Sequence, residues 1–163
     1  MFEITSKNQD EITITAKQTS VTFNVAQNEI DAGLEVGKIH GPGEFEIGDM
    51  TIRGVDVAAA GKEDEKKTTE KKKGETIYVA EIGGVYVAIV GDDEKALDEV
   101  PQGCILCTTS VRAVREVEPK IVVAMGNVDG MVTELKLSAR TEKKLKIKNA
   151  SSLPMNLEVV ALT

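Results

Sequence analysis

Few side chains in this sequence could carry chemistry. His40 is the single histidine, and an imidazole that titrates near neutral pH could act as an acid–base group or a metal ligand. The carboxylates that could supply oxygen ligands to Mg²⁺ or Ca²⁺ are Glu44, Glu46, Asp49, Asp92 and Asp93. Glu44 and Glu46 are two residues apart, so they would share one face of a strand. Acidic turns are also common without a metal, and His40 could equally be a surface residue at the start of a strand.

Cys104 and Cys107 form a C-x-x-C pair. Two thiolates do not complete a tetrahedral zinc site, and the chain offers one histidine to add to them. A redox C-x-x-C lies at the start of a helix, whose dipole lowers the thiol pKa. Residues 103–108 are apolar here and predict a buried strand. This pattern favours buried structural thiols over a redox or metal role.

Composition indicates which elements must position these residues. Hydrophobic residues make up 41% of the 163 residues, aromatic residues make up 3%, and there is no Trp. The core must therefore be built from Val, Ile, Leu, Ala and Met, and the branched residues among these favour strands. The length fits a single domain over residues 1–163.

Charge and hydropathy restrict the partners. The formal net charge is −7, which repels phosphate backbones and anionic lipid, so we expect neither a nucleic-acid nor a membrane partner. We find neither an apolar run of about 18 residues nor a signal-peptide pattern, and we therefore expect a cytoplasmic protein.

Alternating apolar and polar residues predict strands in the first half. Residues 2–25 predict two or three antiparallel strands, and residues 28–37 predict a loop or short turn. Residues 43–47 and 50–57 predict a hairpin that turns at Gly48 and Asp49. Residues 61–75 contain no hydrophobic residue, so we expect a mobile charged loop.

The second half predicts a hairpin followed by alternating strands and helices. Thr76–Ile82 and Val85–Val90 flank Gly83 and Gly84, which is typical of a hairpin. Residues 93–100 predict a short helix. The remaining predictions are a strand at 104–107, a helix at 110–117 capped by Ser110 or Thr109, a strand at 121–125, a helix within 128–139, and strands at 143–148 and 156–162. The strand–helix–strand unit over 104–125 predicts a parallel pair.

These elements indicate a strand-rich, layered α/β domain with few short helices. Several segments, in order, resemble one branch of the metallo-β-lactamase fold, the hydrolases related to ascorbate-phosphate lactonase. The matching segments are Gly-Pro-Gly-Glu-Phe-Glu at 41–46, the strand at 50–55, the loop at 61–74, the strand at 75–82, Ile-Val-Gly-Asp at 89–92, residues 118–126, and residues 143–162. The resemblance implies a reduced metallo-β-lactamase fold, a layered sandwich of mostly antiparallel sheet.

The departures from that family concern its metal ligands. The histidine motif expected before residue 41 is absent, Ile89 stands where the family has His before Gly-Asp, and Gly126 stands where it has a later His. The His expected before the loop has no counterpart in residues 57–61. Asp92 alone matches a ligand position, that of the bridging aspartate. A dinuclear zinc hydrolase of this kind needs about four or five imidazoles and a bridging carboxylate.

We therefore expect a protein without the family's zinc-dependent hydrolysis and without a cofactor, acting in binding or assembly, as a homo-oligomer or with a protein partner. A fold that has lost elements should leave apolar surface for such a partner to cover. Two alternatives remain open. One is a hydrolase with a carboxylate-based metal site, for which the vestigial candidates are His40, Glu44, Asp92 and Asp93. The other is one subunit of a split enzyme whose partner supplies the histidines.

Overall fold

The structure is a computed structural model that describes residues 1–33, 36–56, 76–91 and 96–163. The loop predicted at residues 61–75 lies outside these ranges, as do the two candidate ligands Asp92 and Asp93.

Five N-terminal strands and one late strand form a six-stranded antiparallel sheet. Its strands are β1 (Phe2–Asn8), β2 (Glu11–Ala16), β3 (Thr19–Asn24), β4 (Glu29–Asp31), β5 (Lys38–His40) and β13 (Leu145–Ile147). They lie in the order β13-β1-β2-β3-β4-β5. The predicted antiparallel strands within residues 2–25 are thus confirmed, and there are three of them.

The prediction of a loop or short turn over residues 28–37 is wrong in part, because β4 lies within it. Ile30 pairs with Phe23 of β3 and with Ile39 of β5. A three-residue strand has too little alternation to be recognised locally, and its neighbours hold it in the sheet.

The remaining strands form an eight-stranded sheet. They are β6 (Gly43–Ile47), β7 (Met50–Asp56), β8 (Thr76–Ile82), β9 (Val85–Val90), β10 (Ile105–Thr108), β11 (Ile121–Ala124), β12 (Ala139–Glu142) and β14 (Glu158–Leu162). Their order is β12-β14-β11-β10-β9-β8-β7-β6. Both predicted hairpins are confirmed, β6 with β7 and β8 with β9. The predicted parallel pairing of β10 with β11 is also confirmed.

Two α-helices lie in the described part of the chain, α1 (Val111–Val117) and α2 (Val128–Leu135). Ser110 caps α1, as predicted, by accepting a hydrogen bond from the Ala113 N–H. The sequence predicts a helix at residues 93–100. Part of it is a 3-10 helix at Leu97–Glu99, and residues 93–95 lie outside the described ranges.

The helix predicted within residues 128–139 is present but ends at Leu135. Lys136 adopts a left-handed conformation with φ of 56° and closes α2. Ala139 then begins β12, which runs parallel to β14 at the edge of the sheet. The sequence did not predict this strand, because Arg140, Thr141 and Glu142 carry no apolar side chain to mark it.

Two buried clusters show how the layers pack. The first lies between the two sheets and includes Phe23, Ile52, Ile89 and Cys107. The second lies between the eight-stranded sheet and the helices and includes Leu106 with residues of α1 and α2. Strands β10 and β11 contribute to both clusters and are buried along their whole length.

The outer face of the six-stranded sheet is polar. It carries Glu3, Thr5, Glu11, Thr13, Thr15, Ser20, Thr22 and Asn24, none of which is buried. Thr13 and Thr22 share a hydrogen bond of 2.8 Å between their hydroxyl oxygens. Because the side chains of threonine, serine and glutamate are well solvated by water, this face needs no helix to cover it. The apolar surface expected of a reduced fold is therefore not found on this face.

Candidate functional site

The carboxyl ends of β9, β10 and β11 form the edge where the resemblance places metal ligands. Gly91 follows β9, Thr108 ends β10, and Gly126 follows β11 by two residues. The three strands are parallel neighbours, so their ends meet on one side of the sheet. A Cβ added to Gly91 would lie 3.9 Å from the Val25 Cβ, so the other sheet also reaches this edge.

Ile89 occupies the first of the ligand positions and belongs to the core. Its side chain is 1% exposed within the cluster between the sheets. Across the sheet it pairs with Tyr78 of β8 and Cys107 of β10. An apolar side chain in this place packs against the second sheet and offers no lone pair to a cation.

Gly126 occupies the second of these positions and adopts φ of 71°, where a residue with a side chain is strained. A Cβ added there would lie 3.4 Å from the Thr109 Cγ2, which is a tight contact. The backbone itself makes a turn, because the Val128 N–H donates to the Gly126 carbonyl at 3.0 Å. The residue is thus suited to a backbone turn and not to presenting an imidazole.

The hydroxyl groups at this edge stabilise the start of α1. Thr108 is fully buried, and its Oγ1 accepts a hydrogen bond from the Ser110 N–H at 3.0 Å. The Ser110 Oγ in turn accepts one from the Ala113 N–H at 3.1 Å. These bonds satisfy one backbone N–H before α1 and one in its first turn. Both hydroxyl oxygens therefore have a structural role as hydrogen-bond acceptors.

His40 lies on the edge strand β5 and is exposed. Its Nε2 is 3.6 Å from the Oε2 of Glu29, and the Nζ of Lys38 is 3.3 Å from the Oε1 of the same carboxylate. Glu29 is 8% exposed, so its carboxylate is the most buried one in the described part of the chain. The sequence did not single out Glu29, because its burial arises from the pairing of β3, β4 and β5.

The acidic candidates Glu44, Glu46 and Asp49 are not gathered around a common point. Glu44 and Glu46 alternate along β6 and both are exposed, which confirms that they share a face. Glu44 lies opposite Arg53 of β7, and Asp49 forms an ion pair of 3.0 Å with Lys17. Among residues 1–33, 36–56, 76–91 and 96–163, no three His, Cys, Asp or Glu side chains lie close enough together to hold a metal.

The donor set does not fit the zinc site of metallo-β-lactamase hydrolases. The chain has one histidine, whose Nε2 lies 3.6 Å from a Glu29 oxygen. Ile89 and Gly126 stand at the two positions where the resemblance would place histidine ligands. Carboxylates alone suit harder cations such as Mg²⁺ and Ca²⁺ better than zinc. The residues present therefore do not support a reaction step on a zinc ion.

The two cysteines are buried and unbridged, as the sequence predicted. Cys104 belongs to the cluster under the helices and Cys107 to the cluster between the sheets, so the thiols lie on opposite faces of the sheet. Burial raises the pKa of the Cys104 thiol to about 12 and raises the pKa of Cys107 as well. Protonated thiols in these positions are poor nucleophiles and poor metal ligands.

An open groove of about 510 Å³ lies where β12 leads into β13. It is lined by Arg140, Glu142, Lys143, Lys144, Leu145 and Lys146. The Arg140 guanidinium lies 2.6 Å from the Glu158 carboxylate, and the Lys144 Nζ lies 3.2 Å from that of Glu3. Acidic neighbours thus offset much of the positive charge in the groove.

No helix in the described ranges has the length and apolar character needed to cross a membrane. No protein-family model matches the chain, and no curated protein matches it.

Solved structures do resemble it. One is the crystal structure of a Thermotoga maritima protein described as a candidate zinc-dependent hydrolase of the metallo-β-lactamase superfamily. The two structures superpose with a TM-score of 0.67 over 99% of this chain and 98% of that chain, at 15% sequence identity. The likeness in backbone confirms the predicted fold class, a strand-rich α/β sandwich of the metallo-β-lactamase type.

Proposed function

We propose that this protein is a non-catalytic relative of the metallo-β-lactamase-fold hydrolases and acts in the cytoplasm as a binding or assembly protein. The observation that carries the proposal is Ile89. This residue stands at a ligand position of the family and is 1% exposed in the core between the sheets. The position contributes to packing, and a change that restored a ligand there would remove an apolar side chain from that core.

The proposal is supported by the other ligand positions. Gly126 has no side chain, and its φ of 71° disfavours any replacement. His40 is the one imidazole in the chain, and it faces Glu29 and Lys38 at an edge strand. The groups that activate water in a dinuclear zinc site thus have no counterparts among these residues.

Metal content and activity test the proposal directly. The purified full-length chain is analysed for Zn, Mn, Fe, Mg and Ca, and its melting temperature is followed as each ion is added. We expect a metal content far below one per chain and no shift in melting temperature. The chain should also be inactive on lactone, phosphodiester and phosphomonoester substrates with each metal present.

Matched variants make a positive result interpretable. A stoichiometric metal that is lost in H40A or in D92N/D93N, with hydrolysis lost in parallel, would overturn the proposal in favour of a carboxylate-based hydrolase. E81Q is the control, since it removes an exposed carboxylate of β8 that is not among the candidate ligands. A split enzyme would show itself as hydrolysis that appears only when a second, histidine-bearing protein co-purifies.

A further inference from the structure

Four strands lie at sheet edges in the described part of the chain. They are β12 and β6 in the eight-stranded sheet and β13 and β5 in the six-stranded sheet. An edge strand presents unpaired N–H and C=O groups that can pair with another chain, and charged side chains usually prevent this. Whether an edge strand can pair with the same strand of a second copy therefore depends on which charges of the two strands lie opposite each other.

The backbone of β12 is available for pairing at alternate residues. The Thr163 N–H donates to the Glu142 carbonyl at 3.0 Å, which extends the parallel ladder between β12 and β14. The main-chain groups of Glu142 therefore face β14, and those of Arg140 do the same because direction alternates along a strand. The N–H and C=O of Thr141 then point away from β14, to the open edge.

The side chains of β12 are self-complementary under a two-fold axis. Arg140 and Glu142 are exposed and share one face, since they are two residues apart. An antiparallel pair centred on Thr141 places Arg140 of each copy opposite Glu142 of the other. Thr141 would form the hydrogen-bonded pair, and the Arg–Glu pairs would fall at the adjacent positions, where side chains approach more closely.

The other three edges bring no opposite charges together in the same arrangement. On β6 the exposed pair is Glu44 and Glu46, and on β5 it is Lys38 and His40, which includes no carboxylate. On β13 a two-fold axis through Lys146 would place this lysine against itself. Like charges directly opposite each other destabilise a strand pair. Among these four edges, β12 alone has charges compatible with self-pairing.

We propose that two copies of this chain associate through β12, in an antiparallel pair centred on Thr141 that joins their eight-stranded sheets. The inference rests on the proposed assembly role and names its partner as a second copy. In this register Ala139 faces Lys143 of the second copy, and Ser138 faces Lys144. No like charges then lie opposite each other along the ladder.

Charge reversal with rescue tests the pairing in the full-length chain by sedimentation equilibrium over a wide protein concentration range. E142R places two guanidinium groups opposite each other in each cross-strand pair, and we expect it to raise the dimer Kd about tenfold or more. R140E/E142R restores opposite charges and should recover dimerisation. E46R is the control, because it makes the same charge change on β6 and should leave the dimer Kd unchanged.

Crosslinking locates the axis independently. Both native cysteines are buried, so a T141C variant supplies an accessible thiol whose symmetry mate lies about 5.5 Å away between Cα atoms, within disulfide range. S138C is the matched control, since its symmetry mate would be about 20 Å away along the paired strands. We expect T141C to give a covalent dimer on mild oxidation and S138C to give none.

Several outcomes would overturn this interface. They are a monomer at every concentration, an E142R dimer as tight as the wild type, or equal crosslinking of S138C and T141C. If R140E/E142R fails to fold because Arg140 also contacts Glu158, the T141C and S138C pair still decides the question. Metal binding or hydrolysis would overturn the proposed function and leave the dimer data unaffected, so the two failures are distinguishable.

Discussion

The hydroxyl of Tyr78 donates a hydrogen bond of 3.0 Å to the carbonyl of Asn28. Tyr78 belongs to β8 of the eight-stranded sheet, and Asn28 lies between β3 and β4 of the six-stranded sheet. The Tyr78 ring also packs against Phe23 of β3 at 5.8 Å between centroids. Burial raises the pKa of Tyr78, so its phenol stays a protonated donor. This contact therefore links the two sheets of the sandwich.

We expect Y78F to lower the free energy of unfolding by about 1 kcal/mol, because the Asn28 carbonyl loses a partly buried donor while the ring packing is kept. Urea unfolding followed by circular dichroism measures the change. Y86F is the control, since Tyr86 lies on the neighbouring strand β9 and its side chain is 38% exposed. Equal stability of Y78F and wild type would mean that the bond contributes nothing net.

Asn28 should be sensitive to substitution for two separable reasons. Its φ is 52°, and its Oδ1 accepts a hydrogen bond from the Thr76 N–H at 3.2 Å. N28G keeps the backbone conformation and loses the bond, at a cost of about 1 kcal/mol. N28A loses the bond and also strains the backbone, so its total cost is about 2 kcal/mol or more. If N28A were as stable as N28G, the left-handed backbone would not be under strain.

The strands that the sequence predicted are those whose pattern is carried by their own residues. Strands β1 to β3 and the β6–β7 hairpin alternate between apolar and polar residues. Strands β8 to β11 are mainly apolar and buried on both faces. Strands β4 and β12 were missed because neighbouring strands define them, through pairs such as Ile30 with Phe23 and Arg140 with Val160.

The sequence could predict one property of the candidate site, which is that it lacks the imidazoles of a dinuclear zinc site. A count of histidines in the sequence shows that the donors of a dinuclear zinc site are missing. The burial of Glu29 and the self-complementary charges of β12 depend on which strands become neighbours and which one ends a sheet. Because that order arises from pairing between distant segments, no local pattern in the sequence could reveal it.

Introducing histidine at position 89 should destabilise the fold without creating a metal site. I89H places an imidazole between Tyr78 and Cys107 in the core, so we expect a loss of about 3 kcal/mol in the free energy of unfolding. I89V keeps an apolar side chain and should cost about 1 kcal/mol. Urea unfolding with and without added zinc provides the comparison. Zinc-dependent stabilisation of I89H would show that other zinc ligands lie nearby.

Alkaline pH should destabilise the protein through its buried thiols. Burial raises the pKa of Cys104 to about 12 in the folded state, whereas a thiol in the unfolded chain titrates near about 8.5. Between these values the folded state holds the proton and the unfolded state releases it. The contribution of this thiol to the free energy of unfolding is therefore fully present below about pH 8.5. Above that pH it falls by about 1.4 kcal/mol per pH unit.

The C104A variant isolates that contribution. It loses some packing at every pH, but it lacks the Cys104 thiol, so its stability should fall less steeply with pH than that of the wild type. Urea unfolding in steps from pH 7 into the alkaline range gives both curves, and we expect the gap between them to narrow as pH rises. The other ionisable groups are common to both proteins, so their effects cancel in the difference. Parallel curves would mean that Cys104 ionises in the folded protein as readily as in the unfolded chain, and that its burial does not control its pKa.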